Sequence, residues 1–216
     1  HELRTPLTVV AGYLETLLES QDFGQEYADQ LRSMQHQAAR MKRIVEDLML
    51  LSRLESEAPQ MDAQPVAVGR LIDAIVNQAR ELSGEQEHHM ELDVEPDLCL
   101  KGREPELYSA FSNLVFNAVR YTPGGGHIAV SWKTVNGAPV FSVEDTGVGI
   151  AASHLPRLTE RFYRVDTGRS RASGGTGLGL AIVKQLVEAQ GGQVTIDSQV
   201  NAGTRVSFTS PIAEVQ

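Results

Sequence analysis

Two glycine clusters, each beside polar residues, lie in the second half of the chain. They are the runs 145–150 (DTGVGI) and 174–180 (GGTGLGL). Glycine lets a backbone approach a phosphate closely, and the amides that open a helix present the positive end of its dipole to an anion. The clusters therefore indicate contacts with a phosphate-bearing ligand, although either cluster alone would suit many loops.

A second polar group lies on a long predicted helix upstream of both clusters. Asn113 and Asn117 are four residues apart, so they share one face of that helix, and Arg120 lies one turn further along it. Magnesium takes oxygen ligands, which an asparagine carbonyl supplies, and arginine suits phosphate. Without the glycine clusters these asparagines would be interpreted as ordinary surface residues.

Two other phosphate-binding motifs can be tested on the same glycines. A P-loop needs a glycine followed by lysine and then serine or threonine, and the sequence contains none. Residues 147–152 (GVGIAA) match the loose dinucleotide fingerprint, and Asp166 lies near the expected distance for a ribose contact. That fold needs a parallel strand-helix-strand unit, whereas the strand before Gly147 is predicted to belong to a hairpin, so this alternative is disfavoured.

The opening run HELRTP offers a different chemistry. A zinc-protease interpretation fails because Thr5 stands where the motif H-E-x-x-H requires histidine. On its own, His1 would be interpreted as a solvated histidine at a helix start.

Composition excludes several classes of function. The chain has 19 basic and 28 acidic residues, and this net charge of -9 argues against nucleic acid as the partner. Cys99 is the single cysteine, which rules out an internal disulfide and fits a reducing compartment.

No apolar run approaches the roughly 18 residues that cross a bilayer, so this piece is expected to be soluble and to make no membrane contact. Because it opens on His1, we expect upstream segments in a longer protein.

The first part of the chain has the periodicity of a helical hairpin. Apolar residues recur at alternating spacings of three and four, the seam of supercoiled helices. They are Leu3, Leu7, Val10, Leu14 and Leu17, then Tyr27, Leu31, Met34, Ala38, Met41, Val45 and Leu48. A polar stretch at 20–25 joins the two helices, and Ile44, Leu51 and Leu54 widen the second stripe. A hairpin from a second copy is therefore expected to complete a four-helix bundle.

Charge and Pro59 end this pattern, which predicts a hairpin domain at 1–57, a linker at 58–65 and a second domain at 66–216. The second domain is predicted to be an α+β sandwich, with mainly antiparallel sheet under helices. Helices are predicted at 70–82, 104–121 and 178–190, and strands at 90–94, 98–101, 127–135, 139–144, 193–197 and 204–209. Asn136-Gly137 predicts a hairpin turn, and Gly191-Gly192 predicts a helix cap.

Taken in order, these motifs resemble the sequence boxes of the histidine-kinase ATP-binding domain. The asparagine helix resembles the N box, run 145–149 the G1 box, run 160–164 (ERFYR) the F box and run 175–179 the G2 box. The opening HELRTP resembles the H box that carries the phosphoacceptor. The family shares its ATPase fold with the gyrase, Hsp90 and MutL nucleotide domains.

The resemblance implies roles for residues at the nucleotide. Asp145 would accept the adenine amino group, Asn117 would hold Mg²⁺, and Asn113 would support the phosphate end. Arg120, where lysine is more frequent, and Arg164, beside a predicted ATP lid at 166–175, would contact phosphates. The remaining implied ATP contacts are Tyr121, Gly147, Gly149, Ile150, Gly175, Thr176, Gly177, Leu178 and Gly179. For Tyr121 a buried helix-end aromatic is an open alternative. Arg171 fits a solvated loop rich in charge, whereas for Arg169 that interpretation and a functional role both stay open.

The resemblance also implies an activity. His1 would take a phosphoryl group from ATP, Glu2 would orient or deprotonate it, and Thr5 would position water for a phosphatase reaction. A response-regulator receiver domain would accept the phosphoryl group, on the cytoplasmic side of the bacterial inner membrane. Two alternatives stay open: an ATP-driven dimerisation clamp or hydrolase of the same superfamily, and a degenerate kinase that serves as a scaffold.

Overall fold

The computed structural model describes residues 10, 12–15, 17, 25–56, 63–165 and 175–209. His1, Glu2 and Thr5 lie outside the described residues, as do Leu3 and Leu7 of the first apolar stripe. Residues 10, 12–15 and 17 are helical. The helices that follow are α1 (Gln25–Glu55), α2 (Val68–Ser83), α3 (Glu104–Tyr121) and α4 (Gly179–Ala189). The strands are β1 (Gln64–Ala67), β2 (His89–Val94), β3 (Cys99–Gly102), β4 (His127–Val135), β5 (Ala138–Asp145), β6 (Gln193–Gln199) and β7 (Gly203–Thr209).

The larger sheet has the strand order β2-β4-β5-β7-β6. All of its neighbouring strands are antiparallel except β2 and β4, which run parallel. Asn136 and Gly137 join β4 to β5 with φ angles of 52° and 80°, the left-handed pair that a tight hairpin turn requires. The predicted α+β sandwich with a mainly antiparallel sheet is confirmed.

One face of this sheet carries α2, α3 and α4 on a shared hydrophobic core. Phe111 of α3 is fully buried and meets Trp132 and Phe141 edge-on, with ring centroids 6.1 Å and 4.5 Å away. The indole of Trp132 donates a hydrogen bond to the carbonyl of Leu98 at 3.1 Å. Because α3 is fixed to the sheet by these aromatic rings, the orientation of its polar flank is fixed as well.

Helix α1 has two apolar faces rather than one. Met34 and Met41, on the predicted seam, are 56% and 48% exposed. Ile44 and Leu51 instead pack against the start of α4, and Leu54 packs against the sandwich core. The expectation that these three residues widen the hairpin seam is therefore wrong, because they bury their side chains against the second domain.

The start of the second domain also differs from the prediction. Strand β1 pairs antiparallel with β3, and it begins at Gln64, two residues inside the predicted linker 58–65. Four residues with a proline carry too little periodicity to mark a strand. The other elements agree with the predicted bounds to within two residues, and α3 agrees at both ends. In the part of the chain that the structure describes, no helix is long and apolar enough to span a membrane.

Candidate functional site

The polar flank of α3 forms the floor of the candidate site. Phe111, Leu114 and Ala118 face the core, so the residues between them on the helix turn away from it. Asn113, Asn117 and Arg120 are all half-buried on this flank. The Asn113 side-chain amide donates to the carbonyl of Ser109 at 2.8 Å, which fixes its orientation.

One end of this flank meets the loop after β5. The amide of Val148 donates to the carbonyl of Tyr121, the last residue of α3, at 3.1 Å. A Cβ on Gly147 would lie 2.5 Å from the same carbonyl and 2.6 Å from the Asp145 carboxylate. The glycine at 147 is thus required because the loop lies directly against the helix end.

Asp145 lies half-buried at the end of β5. Its carboxylate accepts a hydrogen bond from the amide of Gly147 at 2.8 Å. Burial raises the pKa of Asp145 from its ordinary value, and the hydrogen bonds from Gly147 and Thr204 offset that only in part. A partly buried carboxylate has little contact with water, and its oxygens can accept further hydrogen bonds. It therefore suits a ligand that donates a hydrogen bond.

The other end of the flank meets the start of α4. A Cβ on Gly179 would lie 2.4 Å from the side-chain oxygen of Asn113, so α4 begins in direct contact with the asparagine face. Gly177 has a φ of +74° and lies against the backbone of Phe162. The guanidinium of Arg164 donates to the carbonyl of Gly175 at 2.9 Å. These contacts place the first amides of α4 beside Asn113, where they favour an anion.

The remaining predicted residues line the same region. Tyr121 is 45% exposed, so the alternative of a buried helix-end aromatic is wrong. The amide of Ile150 donates to the Ser198 hydroxyl at 2.8 Å, and Gly149 has a φ of +64° with no room for a side chain. Leu178 is fully buried beneath the start of α4.

From Asn113 to Tyr121 the helix rises about 12 Å, with the Asp145 loop at one end and the start of α4 at the other. This arrangement accommodates an elongated ligand with a hydrogen-bond donor at one end and negative charge at the other. The residues of this site could hold Mg²⁺ only when a phosphate-bearing ligand supplies part of its coordination. Among residues with described positions, no cluster of three or more histidine, cysteine or acidic groups could hold a metal. Magnesium in phosphate-binding sites keeps several waters and takes ligands from the phosphates themselves, which would leave the Asn117 carbonyl as a protein ligand.

Helix α1 adds two residues that the sequence motifs did not indicate. The hydroxyl of Thr176 donates to the Asp47 carboxylate at 2.9 Å. Burial lowers the pKa of Arg120, and the positive charge of Arg43 on α1 lowers it further. Asp47 interrupts an inward stripe formed by Ile44 and Leu51, and a charge within an apolar stripe is a signal that could have identified it.

The predicted site residues fall into two groups. The structure brings together the predicted nucleotide contacts on α3, after β5 and at the start of α4. His1, Glu2 and Thr5 lie outside the described residues, as do Arg169, Arg171 and the rest of segment 166–174. The relation of the nucleotide contacts to His1 stays a prediction.

Comparison with known proteins identifies the two parts of the chain separately. Residues 1–57 match the family described as "His Kinase A (phospho-acceptor) domain". Residues 102–214 match the family described as "Histidine kinase-, DNA gyrase B-, and HSP90-like ATPase".

Individual relatives agree with these matches. The phosphate regulon sensor protein PhoR of Pseudomonas aeruginosa is 49% identical over 217 residues, covering 100% of this chain and 48% of the relative. The protein of the same name from Haemophilus influenzae is 36% identical over 211 residues, covering 98% of this chain and 49% of the relative. The crystal structure of full-length ShkA in complex with AMPPNP superposes with a TM-score of 0.79 at 28% identity, covering 99% of this chain and 44% of that one.

The chain thus spans just under half the length of both curated relatives. A phospho-acceptor match over the hairpin, followed by an ATPase match over a sandwich of the expected fold, shows that the chain belongs to the sensor histidine kinases.

Proposed function

We propose that this chain is the catalytic core of a two-component sensor kinase, which uses Mg-ATP to phosphorylate His1 and passes the phosphoryl group to an aspartate of a response regulator. The observation that supports this most directly is the α3 flank, which has a hydrogen-bond acceptor at one end and a helix start at the other. These ends fit the two ends of a nucleotide.

In this proposal adenine lies beside Asp145, whose carboxylate accepts from the exocyclic amine, with Tyr121 and Ile150 alongside. The triphosphate runs along α3 toward Gly179, where the first amides of α4 meet it. Asn113, Arg120 and Arg164 contact phosphates from the sides. Gly147, Gly149, Gly175 and Gly177 let the backbone come close, and Thr176 adds a hydroxyl.

The chemistry is an in-line displacement at the terminal phosphorus. A neutral imidazole nitrogen of His1 forms the N–P bond, while the bond from that phosphorus to the bridging oxygen breaks and ADP leaves with the electron pair. His1 loses its N–H proton, which Glu2 accepts or guides to water. Mg²⁺ held at Asn117 would supply charge neutralisation on the phosphates. The protein contributes positioning, by holding the nucleotide along α3 and bringing the ATP-binding domain onto the bundle beside His1.

The helical hairpin is the proposed binding surface for two partners, a second copy of the chain and a receiver domain. The exposed seam residues Met34 and Met41 support a homodimer through the helical hairpin, since a second copy would cover them. The receiver domain of a response regulator would then dock on the bundle near His1. Thr5, one turn after His1, would position water against the phosphoaspartate and give the kinase a second, phosphatase activity.

Phosphate-starvation signalling is the setting that the relatives favour. The runs 7–15 (LTVVAGYLE), 156–166 (PRLTERFYRVD) and 178–184 (LGLAIVK) are most like the phosphate-regulon sensor kinase, and two relatives bear that name. The whole protein would be anchored in the inner membrane, with this part on its cytoplasmic side.

A labelling experiment tests the proposed reaction. With γ-labelled ATP and Mg²⁺ the chain should form a phosphoprotein that is stable in base and labile in acid. His1→Ala should abolish it. His36→Ala is the matched control, because His36 is an exposed histidine of the same hairpin, and it should label normally. Label that persists in His1→Ala would contradict the proposal, and steady ATP turnover without phosphoprotein would favour a nucleotide-driven clamp.

A further inference from the structure

The start of α4 is already in contact with an anion that belongs to the chain. The Asp47 carboxylate of α1 accepts a hydrogen bond from the Thr176 hydroxyl at 2.9 Å, and both side chains are half-buried. The Thr176 oxygen also accepts from the amide of Leu178 at 3.3 Å, immediately before α4 begins. A carboxylate is thus held where the helix start favours negative charge.

Packing fixes this carboxylate in place. Asp47 lies three residues after Ile44 and four before Leu51, so all three share one face of α1. Leu51 is 2% exposed and contacts Ile182 and Ala181 of α4 in a small apolar cluster. Asp47 therefore stays beside Thr176 whenever α1 is docked on α4.

The proposed nucleotide orientation brings only one phosphate into this position. Gly147 lies at the Tyr121 end of α3 and Gly179 at the Asn113 end. With adenine at Asp145, successive phosphates would therefore lie progressively nearer to Gly179 and Thr176. The terminal phosphate of ATP is the one that would meet both the Thr176 hydroxyl and the Asp47 carboxylate. Because ADP ends one phosphate earlier, it would lie further from both.

We infer that Asp47 is a specificity-determining residue that makes the docked kinase discriminate between ATP and ADP, by opposing the terminal phosphate with its own charge. The inference rests on the proposed function, because it takes the orientation of the nucleotide from it. Two effects act together. The single hydroxyl proton of Thr176 is used in its hydrogen bond to Asp47, so Thr176 cannot donate to a phosphate at the same time. In addition, a carboxylate and a phosphate at one helix start repel each other. ATP therefore binds best after α1 leaves α4, whereas ADP is compatible with docking.

A hydrogen bond and a neighbouring cation favour the charged form of Asp47. Burial raises the pKa of Asp47 above its ordinary value, and the hydrogen bond from Thr176 and the charge of Arg43 offset that rise only in part. Arg43 lies one turn before Asp47 on α1 and is exposed. The cation favours the ionised carboxylate, and the ionised carboxylate is the form that repels a phosphate.

The test compares nucleotide affinities by calorimetry, with Mg²⁺ present, for the parent chain and Asp47→Asn. The variant keeps a side-chain oxygen for Thr176 and removes the charge. ATP and AMPPNP should bind about three- to tenfold more tightly to the variant, while ADP affinity changes by less than about twofold. Asp47→Ala should give the same pattern, which keeps the test valid if either variant folds poorly.

Asp29→Asn is the matched control. It removes the same charge from an exposed position nearer the start of α1, where Asp29 pairs with Arg32. It should change neither affinity. Equal shifts for ATP and ADP in Asp47→Asn, or no shift in either, would overturn the role of Asp47 while leaving the nucleotide site intact. If the parent chain binds neither nucleotide, the proposed function itself fails.

Discussion

Asn113 and Gly179 come into contact where α3 meets the start of α4, with no space for a side chain between them. A Cβ on Gly179 would lie 2.4 Å from the Asn113 oxygen and 2.8 Å from its Cγ. This contact joins the asparagine flank to the amides of α4, and it gives the candidate site one continuous phosphate end.

Gly179→Ala tests that contact. Alanine is a better helix former than glycine by about 0.5–1 kcal/mol, so global stability should hold, but the new methyl group must displace the Asn113 side chain. ATP affinity should fall by about tenfold or more, measured by calorimetry beside a thermal melt. Gly175→Ala is the comparison, because its Cβ would meet Arg164 at an ordinary 3.6 Å. Equal losses in the two variants would show that the Asn113 contact is unimportant.

Asp145→Asn should change which base the site accepts. The variant presents its side-chain amide NH₂, a hydrogen-bond donor, to the ligand, because the oxygen still accepts from the amide of Gly147. We expect at least about a tenfold loss of ATP affinity and a much smaller loss for ITP, whose base carries an oxygen in place of the amine. A competition assay with both nucleotides measures the ratio. An unchanged preference for ATP would remove Asp145 from the base contact.

The raised pKa of Asp145 also predicts a pH dependence of stability. The native state holds this proton more tightly than the unfolded state, in which the pKa returns to near 3.8. The contribution of Asp145 to the free energy of unfolding should therefore fall as the pH rises from about 3.8 through the raised pKa, and then level off.

Asp145→Asn lacks this ionisation. The stability of the variant minus that of the parent should increase across the same pH window, in urea titrations at successive pH values. Asp73→Asn, an exposed change on α2, serves as the control. A difference that falls with rising pH would mean that native interactions favour the charged form of Asp145.

The sequence predicts the fold best where a local residue pattern is compatible with a single backbone conformation. Asn136-Gly137 specifies a turn with two positive φ angles, and α3 keeps its apolar period from Glu104 to Tyr121. Periodicity shows which side of a helix is apolar, but not which element packs against that side. From the sequence, Ile44 and Leu51 are therefore expected to face a second hairpin, whereas in the structure they pack against α4.

Some residues of the candidate site could be predicted from the sequence, and one contact at the site could not. Its motif residues could be named because glycine and asparagine at these spacings are typical of few kinds of binding site, as at Gly147 and Asn113. The contact between Asp47 and Thr176 joins positions 129 residues apart, and it depends on how two domains meet. No local pattern encodes such a contact.

Docking of α1 on α4 should depend on Leu51. Leu51→Ala removes a fully buried side chain from a small cluster and should cost about 2–4 kcal/mol of interface stability. Hydrogen exchange should then speed up in α4, while the sheet amides keep their protection. Leu48→Ala, on the seam face of the same helix, is the control, because it removes an apolar side chain that does not pack against α4 and should leave the protection of α4 unchanged. If α4 keeps its protection in Leu51→Ala, docking does not rest on this cluster.

The most direct test of the nucleotide site is a titration of the ¹⁵N-labelled chain with AMPPNP and Mg²⁺, followed by amide NMR. We predict that the largest shifts occur at Asn117, Gly147 and Gly179, from the middle of α3 to the two glycine loops at its ends. Shifts confined to other parts of the chain, with these three amides unmoved at saturation, would contradict the proposed site.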